Sequence, residues 1–505
     1  MLIAVVGSGV MGRGIAQIHA LAGHEVLLHD ARPEAIQAAR EHLGAMLERL
    51  VDKGRLTQEH AQSCLSRVHA CPSIAGLADV ELVIEAIAED LPAKRALFTR
   101  LEDVVGEDTI LATNTSSLSV TAIASACRLP NRVVGLHYFN PVPLMKVVEV
   151  VRGMRSDPAI IERLCELSTQ VGHRAVVAAD TPGFIVNHAG RGYTTEALRI
   201  IAEGVAEHAE VDRILREQVQ FEGRGFPMGP FELLDLTGLD VSHPVMLSIF
   251  EQFYGEPRFR PSPLAAQRVA AGLFGRKSGE GFYPYQGGRR STEDAGEPAP
   301  AALPPVRVWV APGEACESLR ATADALGALV STGAAPGEQD IILLAPLGHD
   351  LSTACVGFDP TRCVAIDTLF PFEHKSCRRR VLMRSPATDP AISQSVASLF
   401  AADGARISML RDSAGFVAQR VIAMIVAIGC EIAQQRIASA ADVDEAVRIG
   451  LGYPLGPIAM GDALGPARID RLLANIHAVT DDPRYRPSLW VRRRAALGLS
   501  LFQED

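Results

Sequence analysis

The strongest constraint on the fold is that the chain repeats itself. Asp157-Pro158-Ala159-Ile160 returns as Asp389-Pro390-Ala391-Ile392, and Asp180-Thr181-Pro182-Gly183-Phe184 as Asp412-Ser413-Ala414-Gly415-Phe416. Val211-Asp212 returns as Val443-Asp444, and the run from Gly225 to Pro230 as Gly452 to Pro457. Glu256-Pro257-Arg258-Phe259-Arg260-Pro261-Ser262 returns as Asp482-Pro483-Arg484-Tyr485-Arg486-Pro487-Ser488. Matches in one conserved order mean that a unit was duplicated. Each copy carries the same turn and cap signals at the same places.

Ahead of the first repeated set, short apolar runs alternate with helical stretches. Strands are predicted at 2–6, 25–29, 80–86, 109–113, 132–136 and 146–151, with a long helix over 34–53. Strands separated by helices predict a parallel, doubly wound sheet over residues 1–182. Asp180–Gly183 is a turn cluster and the expected hinge. Behind it, apolar residues at helical spacing predict a long helix over 184–203 and further helices to about 274, an all-α domain over 183–285. Residues 286–304 are rich in Gly, Pro, Ala and charge and read as a linker. The repeat then gives a second α/β region over 305–411, shorter and stripped of the first copy's motifs, and a second helical domain over 412–505.

Gly7-Ser8-Gly9-Val10-Met11-Gly12 lies between the first strand and a helix, with Asp30 at the end of the next strand. This context turns a weak glycine motif into a dinucleotide site. Gly7 permits the tight turn, Gly9 admits the pyrophosphate, Gly12 lets helix pack on strand, and the first turn at Val10 and Met11 offers free N–H groups. Asp30 is placed to accept the ribose hydroxyls and to repel a 2′-phosphate, which favours NAD over NADP; Arg32 nearby works against that preference. The fold expected is therefore an α/β Rossmann-like doubly wound domain plus an all-α helical domain, followed by a degenerate second copy of both. A purely structural glycine turn is the alternative.

Asn114-Thr115-Ser116-Ser117 follows a predicted strand, and Leu136-His137 ends another, before Asn140-Pro141-Val142-Pro143. Glu149 falls in the strand after that. An alcohol that loses hydride must also lose a proton, and histidine is the natural base near neutrality. A carboxylate beside it orients the ring and stabilises its charged form. Each residue also has a plain structural reading: His137 as a strand-end histidine, Glu149 as an ion-pair partner, Ser116 as a helix cap.

These motifs, together with LHYFNPVPLMKVVEV (136–150), DTPGFIVN (180–187), FPMGPFELLDLTGLD (226–240) and FGRKSGEGFY (274–283), resemble the L-3-hydroxyacyl-CoA dehydrogenase family, in order over residues 1–285. The two-copy length is similar to that of the 3-hydroxyadipyl-CoA dehydrogenases of bacterial phenylacetate breakdown. The resemblance implies that His137 is the base and Glu149 its partner, with Ser116 and Asn187 bonding the reacting oxygen or the thioester. It implies that Glu89, Lys94, Ser116, Asn140 and Lys277 line the NAD site, and that Lys53 meets the phosphates of an acyl-CoA substrate. Met46 stands where the family has a CoA-contacting serine. Lys53 also reads as a solvated charge at a helix end. The segment between Asp212 and Phe226 is longer than its counterpart between Asp444 and Tyr453, an insertion in the first helical domain. The second copy has Gln419 in the place of Asn187, which implies one active site per chain. Helical domains pair into dimers in this family, so the second helical copy is expected to form an internal pseudo-dimer with the first; a homo-oligomer remains open. Two other functions stay in view: a dehydrogenase of a free hydroxy acid, and a non-catalytic nucleotide-binding scaffold. The His137–Glu149 pair with the run Asn140–Leu144 weighs against the first, since a free acid more often needs a cationic clamp or a lysine, and the intact His137, Glu149, Ser116 and Asn187 weigh against the second.

The net charge of −10 and the lack of a basic run argue against nucleic acid or an anionic membrane as partners. The nine cysteines are scattered with no CxxC pair, as in a reduced cytoplasmic protein. Met1 leads straight into a strand, so no signal peptide is expected. The apolar run at 421–432 reads as a buried helix. The histidines show no metal-ligand spacing, so no metal site is expected.

Overall fold

The computed structural model describes residues 1–291, 305–375 and 377–504; the rest of the expected linker, 292–304, lies outside them. The chain forms two compact units, Met1–His188 with Ile432–Leu451, and Ala189–Glu431 with Gly452–Asp505.

The first unit is built on an eight-stranded sheet. Its strands are β1 (Leu2–Val6), β2 (Glu25–His29), β3 (Val68–Ala70), β4 (Leu82–Glu85), β5 (Ile110–Thr113), β6 (Val133–Tyr138), β7 (Val147–Arg152) and β8 (Arg174–Ala179), in the order β3-β2-β1-β4-β5-β6-β7-β8. The central strands are largely apolar because helices cover both faces, with Glu85, Thr113, His137 and Glu149 among the polar exceptions. The helices Val10–Leu21, Pro33–Asp52 and Pro158–Gln170 bury one face around Val5, Leu28 and Val150. The helices Leu91–Glu102 and Val120–Ala124 bury the other around Val6, Val83 and Leu111.

Neighbouring strands are parallel except β6 and β7, which run antiparallel. The expectation of a wholly parallel sheet fails here for a simple reason. Only residues 139–146 join the two strands, and a parallel crossover takes about a dozen residues or more. The reversal sets His137 directly opposite Glu149 in the register. Strands β3 and β8 add to those read from the sequence.

The first unit also contains a helix from near the end of the chain, Ala440–Gly450. Its buried face is Val443, Ala446 and Val447, at helical spacing. The turn before it accepts a backbone bond, Ala179 N–H to Ile437 O at 2.7 Å. Arg174 on β8 pairs with Glu445 at 3.1 Å and Asp442 at 3.5 Å.

In the second unit the expected helix over 184–203 is the shorter Arg191–Ala202, preceded by the single turn Val186–Ala189. Phe184 has φ 47°, so helical geometry begins only after it. Gly192 lets this helix cross Val417–Gln434 at close range: a Cβ there would lie 2.9 Å from the Ile425 backbone. Val417–Gln434 is the apolar run noted above, buried from Val421 through Ile428. The first residues of the expected linker instead pair as a hairpin, β9 (Tyr285–Gln286) with β10 (Arg289–Arg290), held where the Arg290 guanidinium stacks 3.8 Å from the Tyr283 ring centre.

A six-stranded sheet completes this unit: β11 (Arg307–Val310), β12 (Leu329–Val330), β13 (Ile341–Leu344), β14 (Cys363–Ile366), β15 (Arg379–Arg384) and β16 (Arg406–Arg411), ordered β12-β11-β13-β14-β15-β16. All pairs are parallel except β14 and β15. The insertion after Asp212 packs against this sheet's surroundings. Phe221 meets Phe370 edge-on at 5.3 Å, and Gln218 Nε2 donates to Asp367 at 2.9 Å.

Candidate active site

The glycine turn after β1 fits a dinucleotide. Gly7 has φ 104°, and a Cβ on it would lie 2.5 Å from Ala86 O; one on Gly12 would lie 1.7 Å from Gly7 O. Nothing stands within 4 Å of a Cβ on Gly9, so the backbone is open to a ligand at that point. Val10 and Met11 begin the helix whose first N–H groups lack intrahelical acceptors. The turn opens on a cavity of about 770 Å³ lined by Gly7, Gly9, Asp30, Arg32, Ile87 and Leu97. Asp30 Oδ2 accepts from Ser8 N–H at 2.9 Å and Ser8 Oγ at 2.8 Å, and Oδ1 accepts from Arg32 N–H at 3.1 Å. Burial pushes this carboxyl up, but those bonds outweigh it and hold the group below the usual range. A fixed anion therefore stands in the lining of this cavity, while the Arg32 side chain is largely exposed.

His137 Nδ1 and Glu149 Oε2 are 2.6 Å apart, with both side chains nearly removed from solvent. The second carboxylate oxygen, Oε1, accepts the backbone N–H groups of Ile185 and Val186 at 2.9 and 2.8 Å. A carboxylate has only acceptors, so Glu149 facing Nδ1 orients the ring with that nitrogen as the donor. Nε2 then carries the lone pair. Asn114 Oδ1 accepts the Tyr138 N–H at 2.8 Å and ties the loop after β5 to the end of β6.

Glu89 organises that loop. Its Oε1 accepts from Thr115 Oγ1 at 2.7 Å, from Ser116 N–H at 2.9 Å and Oγ at 3.3 Å, and from Ser117 N–H at 3.1 Å. Burial raises its pKa, but Lys94 and these hydroxyl and amide donors bring it below the ordinary glutamate value. Asn187 Nδ2 points to Ser116 O at 3.4 Å, so the structure brings Ser116, Asn187, His137 and Glu149 into one unit. Lys94 takes an unexpected place. Its ammonium is buried, 2.6 Å from Glu85 Oε1 and 3.3 Å from Glu89 Oε2. Glu85 is buried too, and its Oε2 accepts from Thr113 Oγ1 at 2.6 Å.

Asn140 is exposed beside the cis Asn140–Pro141 bond, and Lys53 is exposed at the end of its helix. Lys277 belongs to the second unit, where its ammonium lies 2.6 Å from Asp240.

The sequence reading missed Glu85 and the Ile185 and Val186 amides. Glu85 had a signal: it ends an otherwise apolar, fully buried strand, and Lys94 shares the apolar stripe of Leu97, Phe98 and Leu101 on the next helix. A buried acid facing a base on a buried stripe implies an ion pair. The two amides carry no side-chain signal.

Residues 2–181 match the NAD binding domain of 3-hydroxyacyl-CoA dehydrogenase, and residues 183–285 and 415–500 both match its C-terminal domain. A 3-hydroxyadipyl-CoA dehydrogenase of Escherichia coli K12 is 37% identical over 98% of this chain and 97% of its own length. A 3-hydroxybutyryl-CoA dehydrogenase of Clostridioides difficile is 40% identical over 56% of this chain and 99% of its own. A crystal structure of a 3-hydroxybutyryl-CoA dehydrogenase from Escherichia coli K12 superposes with a TM-score of 0.85 at 35% identity, covering 98% of both chains. The chain belongs to the 3-hydroxyacyl-CoA dehydrogenase family. It is an NAD-dependent dehydrogenase.

Proposed function

We propose that the chain oxidises a (3S)-3-hydroxyacyl-CoA to the 3-oxoacyl-CoA with His137 as general base, on 3-hydroxyadipyl-CoA or 3-hydroxybutyryl-CoA. The observation that carries this reading is the 2.6 Å contact of His137 Nδ1 with a Glu149 whose other oxygen is fixed by two backbone amides. Nε2 takes the hydroxyl proton, and Glu149 stabilises the imidazolium that results. Ser116 and Asn187 hydrogen-bond the substrate oxygen, with Glu89 holding the Ser116 loop in place. NAD, when bound, supplies the acceptor for the hydride leaving C3. Gly7, Gly9, Gly12, Asp30 and Asn140 belong to its site in this reading, as does, through Glu89, Lys94. Lys53 meets the CoA phosphates.

The test is an NADH-oxidation assay run in the reductive direction with acetoacetyl-CoA and 3-oxoadipyl-CoA, and with free acetoacetate as control. Turnover of the thioesters but not the acid is expected. No turnover of either thioester by a protein that still binds NADH would leave the free-acid or non-catalytic readings.

The second half is read as a degenerate copy that serves as a built-in partner. Two observations support this. Asp367 follows β14 where His137 is the last residue but one of β6, and Val381 stands in β15 where Glu149 stands in β7, so no dyad forms. Asp367 is instead bonded by Gln218 and Gln419, each at 2.9 Å, and by the Leu369 N–H. The exchange of helices is also reciprocal. Ala179 N–H donates to Ile437 O, and at the repeated positions Arg411 N–H donates to Val205 O. Arg174 pairs with Asp442 and Glu445, and in the other unit Arg379 and Arg406 pair with Glu210 and Glu217. Each α/β region receives a helix from the other half, the pattern of an isologous interface.

A further inference from the structure

We propose that Gly450, from the far end of the chain, is a positioning residue for the His137–Glu149 pair; the proposal rests on the dyad reading above. Gly450 closes the helix Ala440–Gly450 and lies directly on the residues that hold Glu149. A Cβ on it would stand 3.1 and 3.2 Å from the two methyls of Val186 and 3.5 Å from a methyl of Val147. Val186 donates its N–H to Glu149 Oε1. Val147 lies two residues before Glu149 on β7, on the same face of the strand. Both valines are buried, where side chains are closely packed and shift at a cost.

The helix cannot simply recede from added bulk. It is fastened just before its start by the Ala179–Ile437 backbone bond and over its first two turns by Arg174 with Asp442 and Glu445, while Val443, Ala446 and Val447 are buried against the sheet's surroundings. A larger residue at 450 therefore presses on Val186. Moving the Val186 amide moves the oxygen it holds, and with it the carboxylate that orients the His137 ring. The C-terminal half thus sets the geometry of the catalytic pair in the N-terminal half without touching substrate or cofactor.

The experiment uses the full chain with acetoacetyl-CoA and NADH. Gly450→Val is expected to lower kcat by about tenfold or more, since misplacements of an ångström at a catalytic group cost on the order of a hundredfold. The KM for NADH should stay within about twofold, because the glycine turn lies at the other strands. Shrinking the neighbour should restore the fit: Gly450→Val with Val186→Ala should recover kcat to within about threefold of Val186→Ala alone. Gly450→Ala, a milder change that keeps the fold should valine prove too large, should fall between wild type and Gly450→Val. Unchanged kcat in Gly450→Val, or in Gly450→Ala where valine does not fold, overturns the proposal. So does a loss that Val186→Ala fails to repair. His137→Ala runs alongside: if it keeps wild-type kcat, the dyad reading itself has failed, which separates that outcome from a failure at Gly450.

Discussion

Lys94 Nζ lies 2.6 Å from Glu85 Oε1, and neither side chain reaches solvent to any useful extent. The ammonium is a strut between the end of β4 and Glu89, and so between the sheet and the Ser116 loop. Lys94→Met leaves Glu85 as a buried, unpaired acid and should cost about 3–5 kcal/mol of stability in denaturant unfolding. Pairing it with Glu85→Gln should return part of that loss. A lysine that served only as a cofactor ligand would weaken NADH binding and leave stability unchanged.

His137→Ala should lower kcat by about 10²–10⁴-fold while the Kd for NADH, read by fluorescence, stays close to wild type. Glu149→Gln should lower kcat by a comparable factor, because its one oxygen is claimed by the Ile185 and Val186 N–H groups and its NH2 then donates to Nδ1, which shifts the ring proton to Nε2. Wild-type kcat in His137→Ala would remove it as the base.

Asp30→Ala removes a carboxylate fixed by three hydrogen bonds in the lining of the cavity beside the glycine turn. The ratio of kcat/KM for NADH over NADPH should fall about tenfold or more, with Arg32 left beside the new space. An unchanged ratio would mean that the ribose is read elsewhere.

His19 is buried against Tyr138, His24 and His173, and burial first, then the two neighbouring histidines, push its pKa down to about 3. The folded ring refuses a proton that the unfolded ring takes near 6.5. Below that pH the unfolded chain binds more protons, so stability falls as pH drops from about 6.5 towards 3, by up to about 1.4 kcal/mol per pH unit from this group. His19→Leu should flatten that slope in urea titrations between pH 6.5 and 5, even if it shifts the stability at pH 7.5.

The first sheet was legible because its strands are short apolar runs between helices, and the dinucleotide turn because its glycines sit between a strand and a helix with Asp30 at the right distance. His137 and Glu149 were legible as a pair because they end and occupy consecutive strands. The reversal at β7 was not read, although the short 139–146 connection contained the reason. What no local pattern could carry is the landing place of the helix Ala440–Gly450. Its buried face reads as that of any amphipathic helix, and which sheet it covers depends on contacts between residues far apart in sequence, Ala179 with Ile437 and Arg174 with Asp442 and Glu445, which no local window contains. The role of Lys94 was hidden differently: a lysine is expected at the surface, and only its position on an apolar stripe argues otherwise.

The reciprocal exchange of helices also bears on how such a chain can vary. In a symmetric pair of identical subunits a harmful substitution at the interface strikes both sides at once, and so does its cure. Here Ile437 and Val205 hold the same kind of bond in two places but are encoded separately. One side can drift while the other stays under selection, and a change at Arg174 need not be matched at Arg406.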